Sequence, residues 1–321
     1  MSHFTRTIRS VAVASMTLVA SAALAQQELK IMAPAGPGGG WDSAARSIQQ
    51  VLTQTGLAKS VQVTNVTGAG GTVGLAQFIN NAKGDPNQLM VNGITMVGAI
   101  LSNKAPVNLD QVTPIARLTG DPLVIVVPAT SPLKSIQDLA AASKADPAKV
   151  TWAGGSAGGA DHILAALFTK AAGADPAKVN YVAFSGGGEA LAAMLGGKVT
   201  AGISGYGEFE SQIRAGKLRA LAISSGKRLA GADVPTLKEL GMDVEVVNWR
   251  AIMAGPGITA DQRKALTDTM DKLVKSKEWT ETLKQKGWDD YYLAGEPFGA
   301  FLKDEQARVG EVLKSVGLVK S

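Results

Sequence analysis

Short apolar runs, glycine-rich loops and stretches of helical periodicity follow one another along most of this chain. A first predicted strand, 28–32, leads into the loop A-P-A-G-P-G-G-G-W-D at 33–42. After this loop, apolar side chains recur at the spacing of one helix face: Ala44, Ala45, Ile48, Val51 and Leu52. The run 61–66 and the loop T-G-A-G-G-T-V-G at 67–74 repeat this unit. The alternation predicts an α/β fold with a largely parallel sheet.

The middle of the chain repeats the same unit. Residues 123–127 form a continuous apolar run between Pro122 and Pro128, so we predict a buried strand that stops at both prolines and crosses into a second lobe. Four further predicted strands follow: 150–153, 179–183, 199–203 and 220–223. Glycine-rich loops at 154–159 and 185–189 come directly after the first two of them. Together these runs predict a second lobe of five strands.

The rest of the chain is predicted to return to the first lobe. The run 244–252 is the expected second crossing, and the chain after Gly255-Pro256-Gly257 is expected to be helical to its end. We therefore expect two α/β lobes joined by two crossing strands. Residues 26–121 plus 249–321 are predicted to form lobe 1, and residues 122–248 lobe 2.

The first 25 residues have the pattern of a targeting segment. Arg6 and Arg9 precede an apolar stretch, 11–25, which is too short to span a bilayer and ends in Ala23-Leu24-Ala25. We expect a secretory signal that is cleaved after Ala25, with export to the periplasm. The chain has no cysteine, so no lipid anchor is expected at the new N-terminus.

Composition excludes several classes of site. Without cysteine there is no disulfide framework, cysteine-ligated metal or thiol nucleophile. The two histidines are His3 and His162, and no calcium-loop motif is present, so we expect neither a metal nor another cofactor. The net charge is +5, and the basic residues are interleaved with acidic ones, which does not predict a nucleic-acid partner.

Four glycine-rich loops each follow a predicted strand and open a predicted helix. Successive glycines let backbone N–H groups converge, and a helix start carries partial positive charge, so each loop favours an anion. The alternative is that these glycines only make tight turns. Because such loops lie at the carboxyl ends of the strands, we expect both lobes to direct them into one cleft. The candidate binding residues in these loops are Gly36, Gly38, Gly39, Gly40, Trp41, Asp42, Gly68, Ala69, Gly70, Gly71, Ser156, Ala157, Ser185, Gly186, Gly187 and Glu189.

Some of these side chains have a second interpretation. Asp42 and Glu189 fall in the first turns of their predicted helices, where a carboxylate stabilises the helix dipole, so each is a candidate cap as well as a candidate ligand contact. Trp41 is expected to form a wall of the cleft rather than to donate a hydrogen bond.

Four more residues outside the glycine runs are candidates. Ser204 and Tyr206 stand at the end of a predicted strand and can donate hydrogen bonds to a ligand. His162, near a helix start, either reaches the ligand or packs between helices. Arg250 either pairs with an anion or anchors the hinge between the lobes, and the hinge is favoured.

Two enzyme motifs compete with the binding interpretation. Residues 154–158 form a G-x-S-x-G sequence between a strand and a helix, so an exported serine hydrolase centred on Ser156 remains a remote alternative. The one mature histidine, His162, is only six residues further on and does not fit the usual order of a triad. The 68–74 loop has Val73 where a dinucleotide-binding motif requires its third glycine.

The order and spacing of these loops resemble a known family. P-G-G-G-W-D, N-V-T-G-A-G-G-T-V-G, A-G-G-S-A-G-G-A-D-H, A-F-S-G-G-G-E-A and G-K-L-R-A-L-A are together similar to the extracytoplasmic receptors of tripartite tricarboxylate transporters. The resemblance runs from Lys30 to the C-terminus. It implies a two-lobed periplasmic binding protein fold, no catalysis, and a carboxylate held by backbone N–H groups and ordered waters.

The resemblance also implies partners and a ligand class. The receptor is expected to be a monomer that delivers its ligand to a large and a small integral membrane subunit. W-D in the first loop and S-G-G-G-E in the second lobe resemble the branch that binds citrate-like tricarboxylates. The alternative is a receptor of the same fold for a dicarboxylate, an aromatic acid or an amino acid, in uptake or sensing.

Overall fold

The computed structural model describes residues 28–184 and 186–319. The predicted signal segment with its cleavage point, and the candidate residue Ser185, lie outside the described residues.

Strands and helices alternate through the described part of the chain. The strands are β1 (Glu28–Ala33), β2 (Ser60–Asn65), β3 (Gln88–Gly93), β4 (Thr113–Pro128), β5 (Thr151–Gly154), β6 (Asn180–Ala183), β7 (Ala201–Gly205), β8 (Leu218–Ile223), β9 (Val247–Ala254) and β10 (Asp289–Ala294). The helices are α1 (Gly40–Gln54), α2 (Thr72–Asn81), α3 (Ile94–Ser102), α4 (Ile136–Ala145), α5 (Ala160–Ala171), α6 (Gly187–Leu195), α7 (Tyr206–Arg214), α8 (Ala260–Val274), α9 (Lys277–Lys286) and α10 (Gly295–Ser315).

The first sheet has the strand order β2-β1-β3-β9-β4, with β10 also paired to β4. Strands β1, β2 and β3 are parallel, whereas β9, β4 and β10 run antiparallel to their neighbours. The sheet is therefore mixed. Strand β9, which returns from the second lobe, runs opposite to both β3 and β4. The parallel part supplies the strand-to-helix loops at 33–40 and 65–71.

The second sheet has the five predicted strands. Parallel strands β6, β5 and β7 lie side by side, and the second half of β4 pairs antiparallel with β7 on one side and β8 on the other. The two sheets share β4, and the architecture is the predicted α/β fold with two lobes. The lobe boundaries at 121/122 and 248/249 remain predictions.

Strand β4 differs from its prediction. It runs without interruption from Thr113 through Pro122 to Pro128, so Pro122 does not end the strand. The chain changes partners at this point: Pro122 is in register with Val247 of β9, and Leu123 is in register with Gly205 of β7. Since the ladder changes partners here, the N–H group that proline lacks is not required.

The C-terminal region was predicted to be entirely helical, and this was wrong. Strand β10 lies between α9 and α10 and pairs with β4 through a bulge between Asp290 and Leu293. Arg117 of β4 holds it: its Nε donates to the carbonyl of Tyr291 at 2.7 Å, and its guanidinium lies 3.8 Å from the centre of the Tyr291 ring. Helices α8 and α10 pack on β4, so the C-terminal part covers the first sheet as expected.

Candidate functional site

A cleft of about 400 Å³ lies between the two sheets, at the carboxyl ends of their parallel strands. Loops from both lobes line it. Of the predicted residues, the following contribute to its walls: Gly36, Gly39, Gly40, Trp41, Gly68, Ala69, Gly70, Gly71, Ser156, Ala157, Gly186, Gly187, Glu189 and Ser204. Gly38, Asp42, His162 and Tyr206 are described but are not part of this lining.

The helices that open on the cleft begin differently from those elsewhere. Glycine is the residue before α1, α2, α3, α5, α6 and α7, so none of these six helices is capped by the side chain of its own N-cap residue. By contrast, the remote helices α4, α8 and α9 begin at Ser135, Thr259 and Ser276, whose hydroxyls accept first-turn N–H groups. First-turn N–H groups have no intrahelical partner and carry partial positive charge. The cleft therefore gathers six helix starts without such a cap, whereas the start of α10, after Ala294, is also uncapped but does not line the cleft.

The two lobes touch across the cleft. The Thr95 hydroxyl of α3 accepts the N–H of Ala160 of α5 at 3.4 Å. A Cβ placed on Gly70 would lie 3.6 Å from the Cβ of Ser156, and one placed on Gly186 would lie 3.8 Å from the Cα of Gly39. The loops of opposite lobes thus meet, and the two lobes are closed on each other.

Asp42 stabilises the first loop without lining the cleft itself. Its carboxylate accepts the N–H of Gly38 at 2.8 Å and the amide of Asn65 at 2.9 Å, and it pairs with Arg46 at 2.9 Å. Burial by itself raises the pKa of Asp42, but the hydrogen bonds from Arg46, Gly38 and Asn65 outweigh burial, and the pKa is lowered. The charged carboxylate therefore holds the loop in the shape that presents Gly39 and Gly40 to the cleft.

His162 has a similar supporting position in lobe 2. Its Nδ1 accepts the N–H of Gly158 at 3.1 Å, and its ring stacks on Tyr181 with 4.1 Å between ring centroids. Burial lowers the pKa of His162 to about 4, so the ring is neutral near pH 7. No hydrogen bond joins Ser156 to His162 within the described residues, and the Nδ1 of His162 is taken by the N–H of Gly158.

Tyr206 is buried at the start of α7 and packs in the apolar cluster of lobe 2 that includes Phe209 and Met194. Its neighbour in the prediction, Ser204, does line the cleft. The Ser204 hydroxyl donates to a carboxylate oxygen of Glu208 at 2.9 Å. The end of β7 therefore contributes Ser204 to the wall, and the first turn of α7 contributes Glu208 rather than Tyr206.

Several lining residues were not predicted: Pro34, Ala35, Thr67, Thr95, Asn103, Gly155, Gly159, Ala160, Asp161, Ala183, Phe184, Glu208 and Asn248. Asp161 and Glu208 carry a signal that was available in the sequence, since each is an acidic residue in the first turn after a glycine, as Asp42 and Glu189 are. Thr95 and Asn103 lie at the two ends of α3, and no motif identifies them.

Arg250 forms a buried ion pair at the point where β4 changes lobes. Its Nη2 lies 2.6 Å from Oδ2 of Asp121, and the two side chains are 3% and 2% exposed. The guanidinium also lies 5.1 Å from the centre of the Trp288 ring. Burial raises the pKa of Asp121 to about 6, although the Arg250 charge lowers it. Arg250 lies where β4 changes lobes and also lines the cleft, so the position fits the favoured role as hinge anchor, and its pairing with an anion of the ligand stays a prediction.

Asp161, which lines the cleft, is a second carboxyl with a raised pKa. Its Oδ2 accepts the N–H of Gly155 at 2.7 Å. Burial raises the pKa of Asp161 to about 7, with further increases from the Glu208 and Asp121 charges, while the Gly155 N–H and Arg250 lower it. Near neutral pH this carboxyl is therefore only partly charged.

We expect the free energy of unfolding to decline less with rising pH in the Asp161→Asn variant than in the wild type. The pKa in the folded protein, about 7, is above the unfolded value of 3.8. The stability that this one carboxyl contributes is therefore greatest below pH 4, and it is lost as pH rises through 7. Asparagine keeps an oxygen for the Gly155 N–H but cannot titrate. Urea unfolding at pH 5, 6, 7 and 8 should show a smaller decline for the variant.

The control for this experiment is Asp138→Asn. Hydrogen bonds at the start of α4, first from the backbone of Lys134, lower the pKa of the exposed Asp138, so its titration lies below the tested range. We expect its profile between pH 5 and 8 to be parallel to that of the wild type. An Asp161→Asn profile equally parallel to the wild type would contradict the role assigned to this carboxyl.

The described residues contain no cluster of three or more acidic or histidine side chains able to hold a metal ion. Within the same part of the chain, no helix has the length and apolar character needed to cross a membrane.

Comparison with known proteins agrees with this geometry. Residues 44–318 match the model of the tripartite tricarboxylate transporter family receptor. BugT of Bordetella pertussis is 30% identical over 295 residues, covering 90% of this chain and 89% of that protein. A solute-binding protein of the same family from Polaromonas, solved without ligand, is 26% identical, with a TM-score of 0.67 and coverage of 90% of this chain and 98% of that chain.

A third comparison concerns a protein with a ligand. MatC from Rhodopseudomonas palustris, solved with bound malate, has a TM-score of 0.77 at 23% identity, and the match covers 89% of this chain and 99% of that chain. The similar proteins are solute-binding proteins, not enzymes, and their two-lobed fold is the fold found here. The family model covers most of the chain, and the chain belongs to the receptor family of the tripartite tricarboxylate transporters.

Proposed function

We propose that this protein captures a small organic carboxylate between its two lobes in the periplasm and delivers it to the large and small membrane subunits of a tripartite tricarboxylate transporter. Family membership supports the receptor role and its partners. The N-terminal sequence, with Arg6 and Arg9 before an apolar stretch, supports export.

One observation carries the assignment of a carboxylate. Six helices without side-chain caps begin at the cleft, and they come from both lobes. A carboxylate at such helix starts receives hydrogen bonds from backbone N–H groups and a favourable electrostatic interaction with the helix ends. A neutral solute gains neither to the same degree.

The number of carboxylates on the ligand is a finer question. The citrate-like tricarboxylate favoured by the sequence resemblance stays a prediction. Malate in MatC is a dicarboxylate in a protein of the same fold. A ligand with two or more carboxylates has an advantage over a monocarboxylate, because it can reach helix starts on both lobes and stabilise the closed form.

A thermal-shift panel tests the proposal. Protein stripped of ligand by unfolding and refolding is mixed with acetate, malate, adipate, citrate, glucose and the dimethyl ester of malate. We expect a carboxylate to raise the melting temperature, with about 2.7 kcal/mol of added stability at a hundredfold excess over the dissociation constant. The ester and glucose should have no effect. A best response to an uncharged solute would contradict the carboxylate assignment.

A further inference from the structure

The second lobe presents acidic side chains to the cleft. Asp161, Glu189 and Glu208 line it from α5, α6 and α7, and Arg250, the basic residue of the described lining, is already paired with Asp121. A negatively charged ligand therefore meets charges of its own sign on this side, and such charges repel more strongly away from bulk water. A carboxylate binds this wall more readily if one of the wall's carboxyl groups is neutral.

The loop 154–159 offers few free backbone donors to a ligand. Four N–H groups of this loop and of the first residue of α5 already have acceptors within the protein: those of Gly155 in Asp161, Gly158 in His162, Gly159 in Ser156 and Ala160 in Thr95. A ligand carboxylate on this side therefore gains from a further hydrogen-bond donor.

Asp161 has one oxygen free to supply that donor. It is the second residue of α5, and its side chain is partly exposed and lines the cleft. Its Oδ2 accepts the N–H of Gly155 at 2.7 Å. Its Oδ1 has no hydrogen-bond partner within the described residues, yet it is not one of the buried unpartnered atoms, so solvent in the cleft reaches it. A protonated carboxyl can donate from this oxygen, whereas a carboxylate can only accept.

The surroundings of Asp161 favour its protonated form. Burial raises the pKa of Asp161 to about 7, and the charges of Glu208 on α7 and Asp121 on β4 act in the same direction. The Gly155 N–H and the charge of Arg250 on β9 lower the pKa. A negative charge on a bound ligand adds to the effect of Glu208 and Asp121, so binding raises the pKa of Asp161 further.

Two other titratable groups beside Asp161 are neutral near pH 7. The hydroxyl of Tyr181 on β6 donates to the carbonyl of Gly155 at 2.8 Å, and burial raises the pKa of Tyr181 well above its usual range. On α5 itself, burial lowers the pKa of His162 to about 4. Neither group exchanges a proton with the solvent near neutral pH, so neither competes with Asp161.

We propose that Asp161 holds a proton in the ligand-bound protein and donates a hydrogen bond from Oδ1 to a carboxylate of the ligand. The proton comes from the solvent as the ligand binds and returns to it on release. This inference rests on the proposed function, and it concerns how the cleft reduces its own negative charge rather than which carboxylate it takes. Binding is then tighter at lower pH, because the protonated form is the one that binds.

The pH dependence of the affinity tests the inference. The probe is whichever of malate, adipate and citrate gives the largest thermal shift, and the stripped mature protein is titrated by calorimetry at pH 7.5 and 8.5. The probe itself is ionised at both values. The dissociation constant of the wild type should increase about 3- to 10-fold over this range, because the free protein loses the proton that the complex requires. Mixing protein and probe in weakly buffered solution at pH 7.5 should raise the pH, with uptake of about half a proton or more per ligand.

Asp161→Asn distinguishes a proton-carrying carboxyl from a charged one. Asparagine keeps an oxygen for the Gly155 N–H, and its amide presents a permanent donor in place of the O–H. The variant should take up no proton and should lose the pH dependence of the affinity. At pH 8.5 it should bind about 3- to 10-fold more tightly than the wild type. Urea unfolding verifies that the variant is folded.

Asp261→Asn is the matched control. Asp261 is likewise the second residue of its helix, α8, but it is exposed and does not line the cleft. This variant should keep the proton uptake and the pH dependence of the wild type.

Three results would overturn the inference while the proposed function stands. The first is a wild-type affinity that is equal at pH 7.5 and 8.5, without proton uptake. The second is a wild-type pH dependence that persists in Asp161→Asn. The third is a folded Asp161→Asn protein that binds about tenfold or more weakly than the wild type at pH 8.5, since the ligand would then require the charged carboxylate. If no carboxylate of the thermal-shift panel binds, the proposed function fails as well.

Discussion

Gly98→Ala should abolish ligand capture while both lobes stay folded. Gly98 lies in α3 of the first lobe, and a Cβ at this position would overlap the carbonyl oxygen of Gly158 in the second lobe. The neighbour is backbone, so no rotamer change relieves the overlap. Within its own helix the alanine is favourable by about 1 kcal/mol relative to glycine. The methyl group therefore acts only against closure.

The expected loss of affinity is large. A ligand confined to one lobe loses the hydrogen bonds from the other, and losing two charge-assisted bonds reduces affinity by roughly 100-fold or more. Small-angle scattering should show that saturating ligand decreases the radius of gyration of the wild type but not of the variant. Calorimetry measures the affinity in the same samples.

Gly310→Ala is the control for the same change in another helix. Gly310 lies in α10, where a Cβ would meet Cδ1 of Leu101 at 3.7 Å, an ordinary van der Waals contact. This variant should bind ligand and close as the wild type does. If Gly98→Ala also bound with unchanged affinity and closed normally, the contact between α3 and the 154–159 loop would not limit closure.

Asp121→Ala should cost the fold about 3–5 kcal/mol, because it leaves the guanidinium of Arg250 buried without its counter-charge. The partners lie 2.6 Å apart and are nearly inaccessible to solvent, so water cannot replace the carboxylate. Equilibrium urea unfolding at pH 7.5, above the raised pKa of Asp121 of about 6, measures the loss with the carboxylate charged in the wild type.

Two comparison variants separate this effect from side-chain truncation. The exposed pair Lys264–Asp268 has a similar N–O distance of 2.7 Å, and Asp268→Ala should cost at most about 1 kcal/mol. The double variant Asp121→Ala with Arg250→Leu should recover much of the lost stability, since no unpaired charge remains buried. An Asp121→Ala variant no less stable than Asp268→Ala would contradict the importance of the buried pair.

The sequence by itself determined the local units of this protein. Strands β1, β2, β5 and β6 lie within one or two residues of their predicted positions, because apolar periodicity and the glycine loops that end each strand are local signals. The glycine loops also indicated the cleft and the family. Their conformational role is visible at Gly70 and Gly71, whose φ angles of 63° and 92° allow the tight start of α2.

The tertiary structure alone decided what depends on distant residues. Strand β10 begins with Asp289-Asp290 and has no clear apolar pattern, and it forms because β4 offers it an edge and Arg117 stacks on Tyr291. The Arg250–Asp121 pair joins residues 129 positions apart, so no local pattern could reveal it. The partner of each buried charge depends on how the strands cross between the lobes, and that arrangement places carboxylates, as well as helix starts, in the lining of the cleft.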